Sequence, residues 1–156
     1  MSQSALYNYE KVKNDITLLP DVLAYYDAEY EKANKEIAMY GNMIKQASQL
    51  PALYEYRFRQ LQELETILEH TNILLEEVEA ELYRKYMECY NKVLSSRDIE
   101  KYIHGEKSYV EMRKIVNEVL LRRNMFVSIS KGFDTKNWML GHITKLKTAG
   151  LDDAEI

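Results

Sequence analysis

The 156-residue chain reads as all-α: a long helical hairpin or coiled-coil bundle, closed by a short C-terminal helix and built to oligomerise. Three observations predict this. Helix breakers are scarce, with two prolines and five glycines in the whole chain. Apolar residues recur at alternating spacings of three and four, the period of a heptad seam. Hydrophobic residues make up 46% and charged residues 29%, enough for a core, while thirteen tyrosines point to amphipathic surfaces beside an oily interior. The length suits one domain, residues 1–156.

The first region, residues 1–50, holds a heptad helix. Leu19-Pro20 starts it, because proline is tolerated in the first turn, where its missing N–H has no helical partner to lose. Leu23, Tyr26, Tyr30, Ala33, Ile37, Tyr40, Ile44 and Ala47 then continue one seam. Leu50-Pro51 repeats the signal, so a second helix is expected over 51–94, with Leu61, Leu64, Leu68, Leu75, Val78 and Leu82 on its seam and Thr71 as a polar lapse. Its periodicity carries to about Tyr90, and at 1.5 Å per residue such a helix is roughly 60 Å long.

The basic helical part, residues 95–150, opens with a capping-box-like pair, Ser95 and Asp98, ahead of a short helix from Arg97 to His104 that His104-Gly105 ends. From Glu106, Tyr109, Met112, Val116, Val119 and Phe126 form another seam, broken at Arg123 and running to about Ile129. Gly132 is expected to stop that helix, and Asp134 to cap a last one from Thr135 to about Lys147. Residues 151–156, LDDAEI, are an acidic tail, expected to be loose.

Charge separates along this layout. Residues 1–83 carry 7 Lys and Arg against 15 Asp and Glu, residues 84–150 carry 14 against 7, and the last six add three acids, for a net −4. A basic C-terminal part is the footprint that nucleic-acid binding leaves; the alternative is that these lysines and arginines only solvate helix faces.

Catalytic patterns are missing from the sequence. Gly41, Gly105, Gly132, Gly141 and Gly150 form no phosphate-binding loop. His70, His104 and His142 are far apart and none follows a glutamate by three residues, which excludes the ligand pairs of a di-iron bundle. Cys89 is alone, so neither a disulfide nor a structural zinc site is expected. Glu76, Glu77, Glu79 and Glu81 project around a helix as a solvated face. No enzyme activity, metal or cofactor is expected. The N-terminus lacks the order of a signal peptide and no apolar run approaches a membrane span, so a cytoplasmic protein without membrane contact is expected.

What remains is recognition. Single strands are bound by cations that neutralise phosphates and aromatic faces that stack bases. Ser130–Gly150 offers Lys131, Lys136, Lys145 and Lys147 around Phe133 and Trp138, with Arg122 and Arg123 one to two turns upstream. The alternative is that Phe133 and Trp138 pin the last helix onto the bundle.

The order of elements also resembles a family. "ELYRKYMECY" at Glu81–Tyr90, "SRDIEKYIHGEKSYVEM" at Ser96–Met112, "SKGFDTK" at Ser130–Lys136 and "KTAG" at Lys147–Gly150 are similar, in sequence and order, to the UvsY-type recombination mediators of tailed phages. The resemblance covers roughly the second half of the chain and more faintly the helix after Pro51; the earlier residues, heptad helix included, have no counterpart in it. It implies a non-enzymatic protein that forms a ring-like homo-oligomer, binds single-stranded DNA and helps a RecA-like recombinase replace single-strand-binding protein. It further implies DNA binding by Arg84 and Lys85, followed by Tyr86 and Tyr90, and oligomer assembly by the C-terminal helix, where Trp138, Met139, Ile143 and Leu146 share one region. If phage-encoded, the protein would act in the host cytoplasm.

Two other classes fit the same residues. A scaffolding coiled-coil protein would use the Leu23–Ala47 seam and ignore DNA, and a helicase-loader-like replisome adaptor would bind DNA and a motor protein. Oligomerisation is expected on any of these readings, because long helices with apolar stripes on separate faces bury too little within one chain of this length.

Overall fold

The computed structural model describes residues 7–89 and 94–150. Among them are five α-helices and a 3-10 turn, with no strand: α1 (Tyr7–Asn14), the turn Ile16–Leu18, α2 (Leu19–Ile37), α3 (Met43–Cys89), α4 (Ser96–Gly105) and α5 (Lys107–Thr148). Tyr90 and the acidic tail 151–156 lie outside the described residues.

The frame is an antiparallel hairpin of α3 and α5. Lys85 meets Glu106 at one end, Glu65 meets Arg123 midway, and the Tyr54 ring packs edge-on against Phe133 toward the other end. α2 lies along the second half of this hairpin, antiparallel to α3 and parallel to α5, with Glu29 on Arg57 and Asp27 on Arg122. α4 closes the opposite end. With 47 residues, α3 runs about 70 Å.

Buried clusters follow one another along the hairpin. Ala33, Leu50, Ile129, Phe133 and Leu140 pack at the α2–α3 loop end. The largest cluster joins α1, α2, α3 and α5 through Val12, Tyr26, Leu64, Ile67, Val119 and Phe126. Beyond α2, Leu75 packs with Met112 and Val116, and Leu82 with Ile99 and Ile103.

The α2–α3 seam is largely polar. Arg57 is buried and donates to Glu29 at 2.6 Å and to both carboxylate oxygens of Glu36, at 2.8 and 2.6 Å. Gln60 adds a bond to Glu29 at 3.0 Å. Burial alone would raise the Glu29 carboxyl, but hydrogen bonds from Lys32, Gln60 and Arg57 outweigh it and hold the pKa down at about 2. Nearby, the buried Glu63 carboxylate accepts from the Tyr26 hydroxyl at 2.6 Å and from the backbone N–H groups of Asn8 and Tyr9 at 2.6 and 3.0 Å. Those amides lie in the first turn of α1, so α3 supplies a cap to that helix from across the bundle.

Several local signals hold. Pro20 sits in the first turn of α2, Ser95 Oγ accepts from the Asp98 N–H at 3.3 Å to cap α4, and Gly105 is the last residue of α4. Thr71, the polar lapse, is fully buried and donates its hydroxyl to the Leu68 carbonyl at 2.9 Å. Arg123, the other lapse, turns to Glu65.

Three boundaries differ from expectation. The heptad helix does not reach Ala47, since α2 ends at Ile37 and the chain turns through Gly41, whose φ of +72° suits glycine, leaving Tyr40 and Ile44 exposed. Pro51 does not start a helix either. α3 begins eight residues earlier, capped by Asn42 Oδ1 accepting from the Lys45 N–H at 3.0 Å, and Pro51 rides inside it on an exposed face where water can take the carbonyl left without a partner. Finally, there is no separate short C-terminal helix: α5 runs unbroken through Gly132. Gly132 is where Ile37 of α2 presses in, so close that a Cβ there would lie 2.7 Å from Ile37 Cδ1. The glycine serves helix approach, not termination.

Candidate nucleic-acid interface

At the α4 end, burial of Ile99 and Ile103 against Leu82 turns Tyr102 outward, one residue before Ile103 on the helix. Its ring stacks on that of Tyr86 in α3, with centroids 5.6 Å apart and planes 21° apart, and remains 46% exposed. Lys85 is next to this pair, its ammonium 5.5 Å from the Tyr86 ring centre. The Lys85 ammonium at 3.0 Å and the Tyr86 hydroxyl at 2.6 Å both donate to one carboxylate oxygen of Glu106. Hydrogen bonds from Tyr86 and then Lys85 hold the Glu106 carboxyl below its ordinary range. Arg84 is exposed and makes no ion pair among the described residues. The end therefore presents one cation, Lys85, beside a two-ring platform, with Arg84 a second exposed cation one residue earlier on α3.

The cations of α5 divide by position. Arg122 grips both carboxylate oxygens of Asp27, at 3.1 and 3.0 Å, and also pairs with Glu118. Arg123 donates twice to Glu65, at 3.2 and 2.9 Å. Lys136 is buried, and its ammonium donates to the backbone carbonyls of Glu36 at 2.6 Å and Ala38 at 3.1 Å, closing the C-terminus of α2. Burial pulls the Lys136 pKa down. A lysine so placed is a helix cap and is withdrawn from phosphate contact, a correction to its expected role. Lys131, Lys145 and Lys147 are exposed.

The expected assembly residues differ among themselves. Trp138 is 62% exposed, its ring lying over His142 with centroids 3.9 Å apart. Leu146 is exposed, Met139 borders on exposure and Ile143 is half-buried. Phe133 is buried against Tyr54, so it pins α5 to α3 as one of its two readings held. Nearby, Met43, Ile44 and Ala47 of α3 and Leu140, Gly141 and Thr144 of α5 line an open cleft of about 750 Å³.

The predicted residues are thus not one site. Arg84, Lys85 and Tyr86 stand at the α4 end, and Lys131, Trp138, Lys145 and Lys147 toward the other, from about 45 Å away along the α3 axis for Lys131 to about 60 Å for Lys147. Sequence reasoning missed Tyr102 and Glu106. The signal for Tyr102 was present, because the Ser95 cap and the inward Ile99–Ile103 pair fix which face of α4 points out.

Among the described residues, no group of three or more His, Cys, Asp or Glu side chains could hold a metal ion, and no helix is long and apolar enough to cross a membrane. No family model matches the chain, nor does any curated protein or any solved structure.

Proposed function

We propose that the chain is a non-enzymatic recombination mediator: a homo-oligomer, ring-like, that binds single-stranded DNA and helps load a RecA-like recombinase in place of single-strand-binding protein. The observation that carries the DNA reading is the α4 end, where the exposed Lys85 lies beside the stacked Tyr86 and Tyr102 rings and the exposed Arg84 precedes it on α3. Cations bind phosphates by releasing counterions, and aromatic faces stack bases without regard to sequence. Lys131, Lys145 and Lys147 are exposed but stand apart from the α4 end, toward the far end, while Arg122 and Arg123 give most of their charge to Asp27, Glu118 and Glu65.

Assembly is assigned to the opposite end. Trp138, Met139 and Leu146 on α5, with Tyr40 and Ile44 before and at the start of α3, leave large apolar side chains in water that a second copy would cover, and Ile143 lies half-buried among them. Separating the two functions lets a ring offer several copies of a modest basic patch to one strand, so weak contacts sum through multivalency.

Fluorescence-anisotropy titration of labelled single-stranded and duplex oligonucleotides across a salt series, with light scattering on the same samples, tests this. The expected result is salt-sensitive, largely sequence-neutral binding that favours single strands, by an oligomer. An oligomer indifferent to DNA would instead favour the scaffolding coiled coil, and a monomer at micromolar concentration would remove the ring.

A further inference from the structure

Glu106 is an acid placed where a DNA phosphate would be wanted. We propose that it is an internal competitor for phosphate, occupying the Lys85 ammonium and the Tyr86 hydroxyl until a single-strand phosphate displaces it. The inference rests on the DNA-binding reading of the α4 end.

Both donors converge on the same oxygen, Oε1, at 3.0 and 2.6 Å, from consecutive residues of α3. An ammonium and a hydroxyl aimed at one anionic oxygen are the donors a phosphate oxygen would take. Glu106 is also not employed where its position would employ it. It is the residue preceding α5, yet its side chain makes no capping bond to that helix and reaches across to α3 instead. The pair is accessible, with the Lys85 side chain 57% and the Glu106 side chain 26% exposed, so an ion pair held this loosely can exchange partners.

The exchange has a functional consequence. Each phosphate bound must first free Lys85 from Glu106, which lowers the affinity of each subunit, and on release Glu106 recaptures the lysine. A protein that hands its strand to another benefits from both. The tyrosine ring beside the pair would then gain a base while its hydroxyl changes acceptor.

Glu106→Gln removes the charge and keeps the shape. Salt-series anisotropy on a single-stranded oligonucleotide is expected to show about two- to fivefold tighter binding than the unmodified chain, the range an exposed ion pair supports. The dependence on log salt should steepen by up to about 0.7, one more cation being available. Glu111→Gln, the same charge change at an α5 acid paired with Lys107, should not reproduce the gain. The gain should also vanish when Lys85→Ala is added, with thermal unfolding confirming that every variant folds. Binding by the unmodified chain together with a Glu106→Gln variant no tighter than it, or no tighter than Glu111→Gln, overturns the competitor and leaves the DNA reading standing. Absence of single-strand binding by the unmodified chain and all variants overturns both.

Discussion

The two ends of the α3–α5 hairpin use the same residue types for opposite purposes. Along α2, cations are drawn inward: Arg57 is buried between Glu29 and Glu36, Arg122 and Arg123 are held by carboxylates of α2 and α3, and Lys136 seals the end of α2. At the α4 end, where α2 no longer runs alongside, Arg84 and Lys85 are exposed, Lys85 beside the stacked rings of half-buried Tyr86 and exposed Tyr102. The difference lies in the acidic neighbour. The net negative first half of the chain folds its carboxylates onto the basic second half as far as α2 reaches; beyond that reach Arg84 is left exposed and Lys85 meets the accessible carboxylate of Glu106. Local net charge by itself does not locate a binding surface.

The comparison predicts that removing charge should damage the α2 half and spare the α4 end. The largest effect is expected for Arg57→Met, which strands Glu29 in a buried position; breaking such a pair costs about 3–5 kcal/mol, measurable by urea unfolding. The same site makes stability depend on pH. Because the Glu29 pKa falls from an ordinary 4.5 to about 2 on folding, its contribution is complete above pH 4.5 and is lost as pH drops toward 2. Arg57→Met should flatten that acid limb, and an unchanged limb would mean that Glu29 is held by its other partners.

Lys136→Met comes next. It frees the carbonyls of Glu36 and Ala38 and should cost about 1–3 kcal/mol in urea unfolding, while leaving single-strand affinity unchanged. A loss of affinity without a loss of stability would return Lys136 to the DNA surface. Gly132→Ala gains about 1 kcal/mol of helix propensity but forces its Cβ toward Ile37, a strain of about 1–3 kcal/mol, for a net loss of up to about 2 kcal/mol. Adding Ile37→Val, which deletes the atom in the way, should recover part of it. The smallest effect on stability, within about 0.5 kcal/mol, is expected for Arg84→Ala, an exposed cation.

How much the sequence disclosed follows the distance over which each residue acts. Pro20, Ser95 with Asp98, and Gly105 act within one turn of backbone, and each was readable from its immediate neighbours. Gly132 and Lys136 were misread because what defines them, Ile37 and the Glu36 and Ala38 carbonyls, lies about a hundred residues earlier. The heptad pattern overran the turn at Gly41 because Tyr40 and Ile44 keep its spacing although neither is buried within the chain. Arg84, Lys85 and Tyr86 were picked out by resemblance; Arg84 and Lys85 are exposed and Tyr86 stacks on Tyr102, which is compatible with that choice. Arg122 and Arg123 looked equally available until the acids of α2 and α3 were set against them.

The most direct measurement is a single-strand binding salt series on three proteins: the unmodified chain, Arg84→Ala/Lys85→Ala, and Lys145→Ala/Lys147→Ala. With DNA at the α4 end, the first double variant should lose affinity, and its salt slope should fall by about 0.7 to 1.4, one phosphate contact's worth from Arg84 and up to one more from Lys85, whose charge Glu106 partly offsets. The second should keep most of both. Binding that survives loss of Arg84 and Lys85 but fails without Lys145 and Lys147, or an unmodified chain that binds no single strand, would contradict the account.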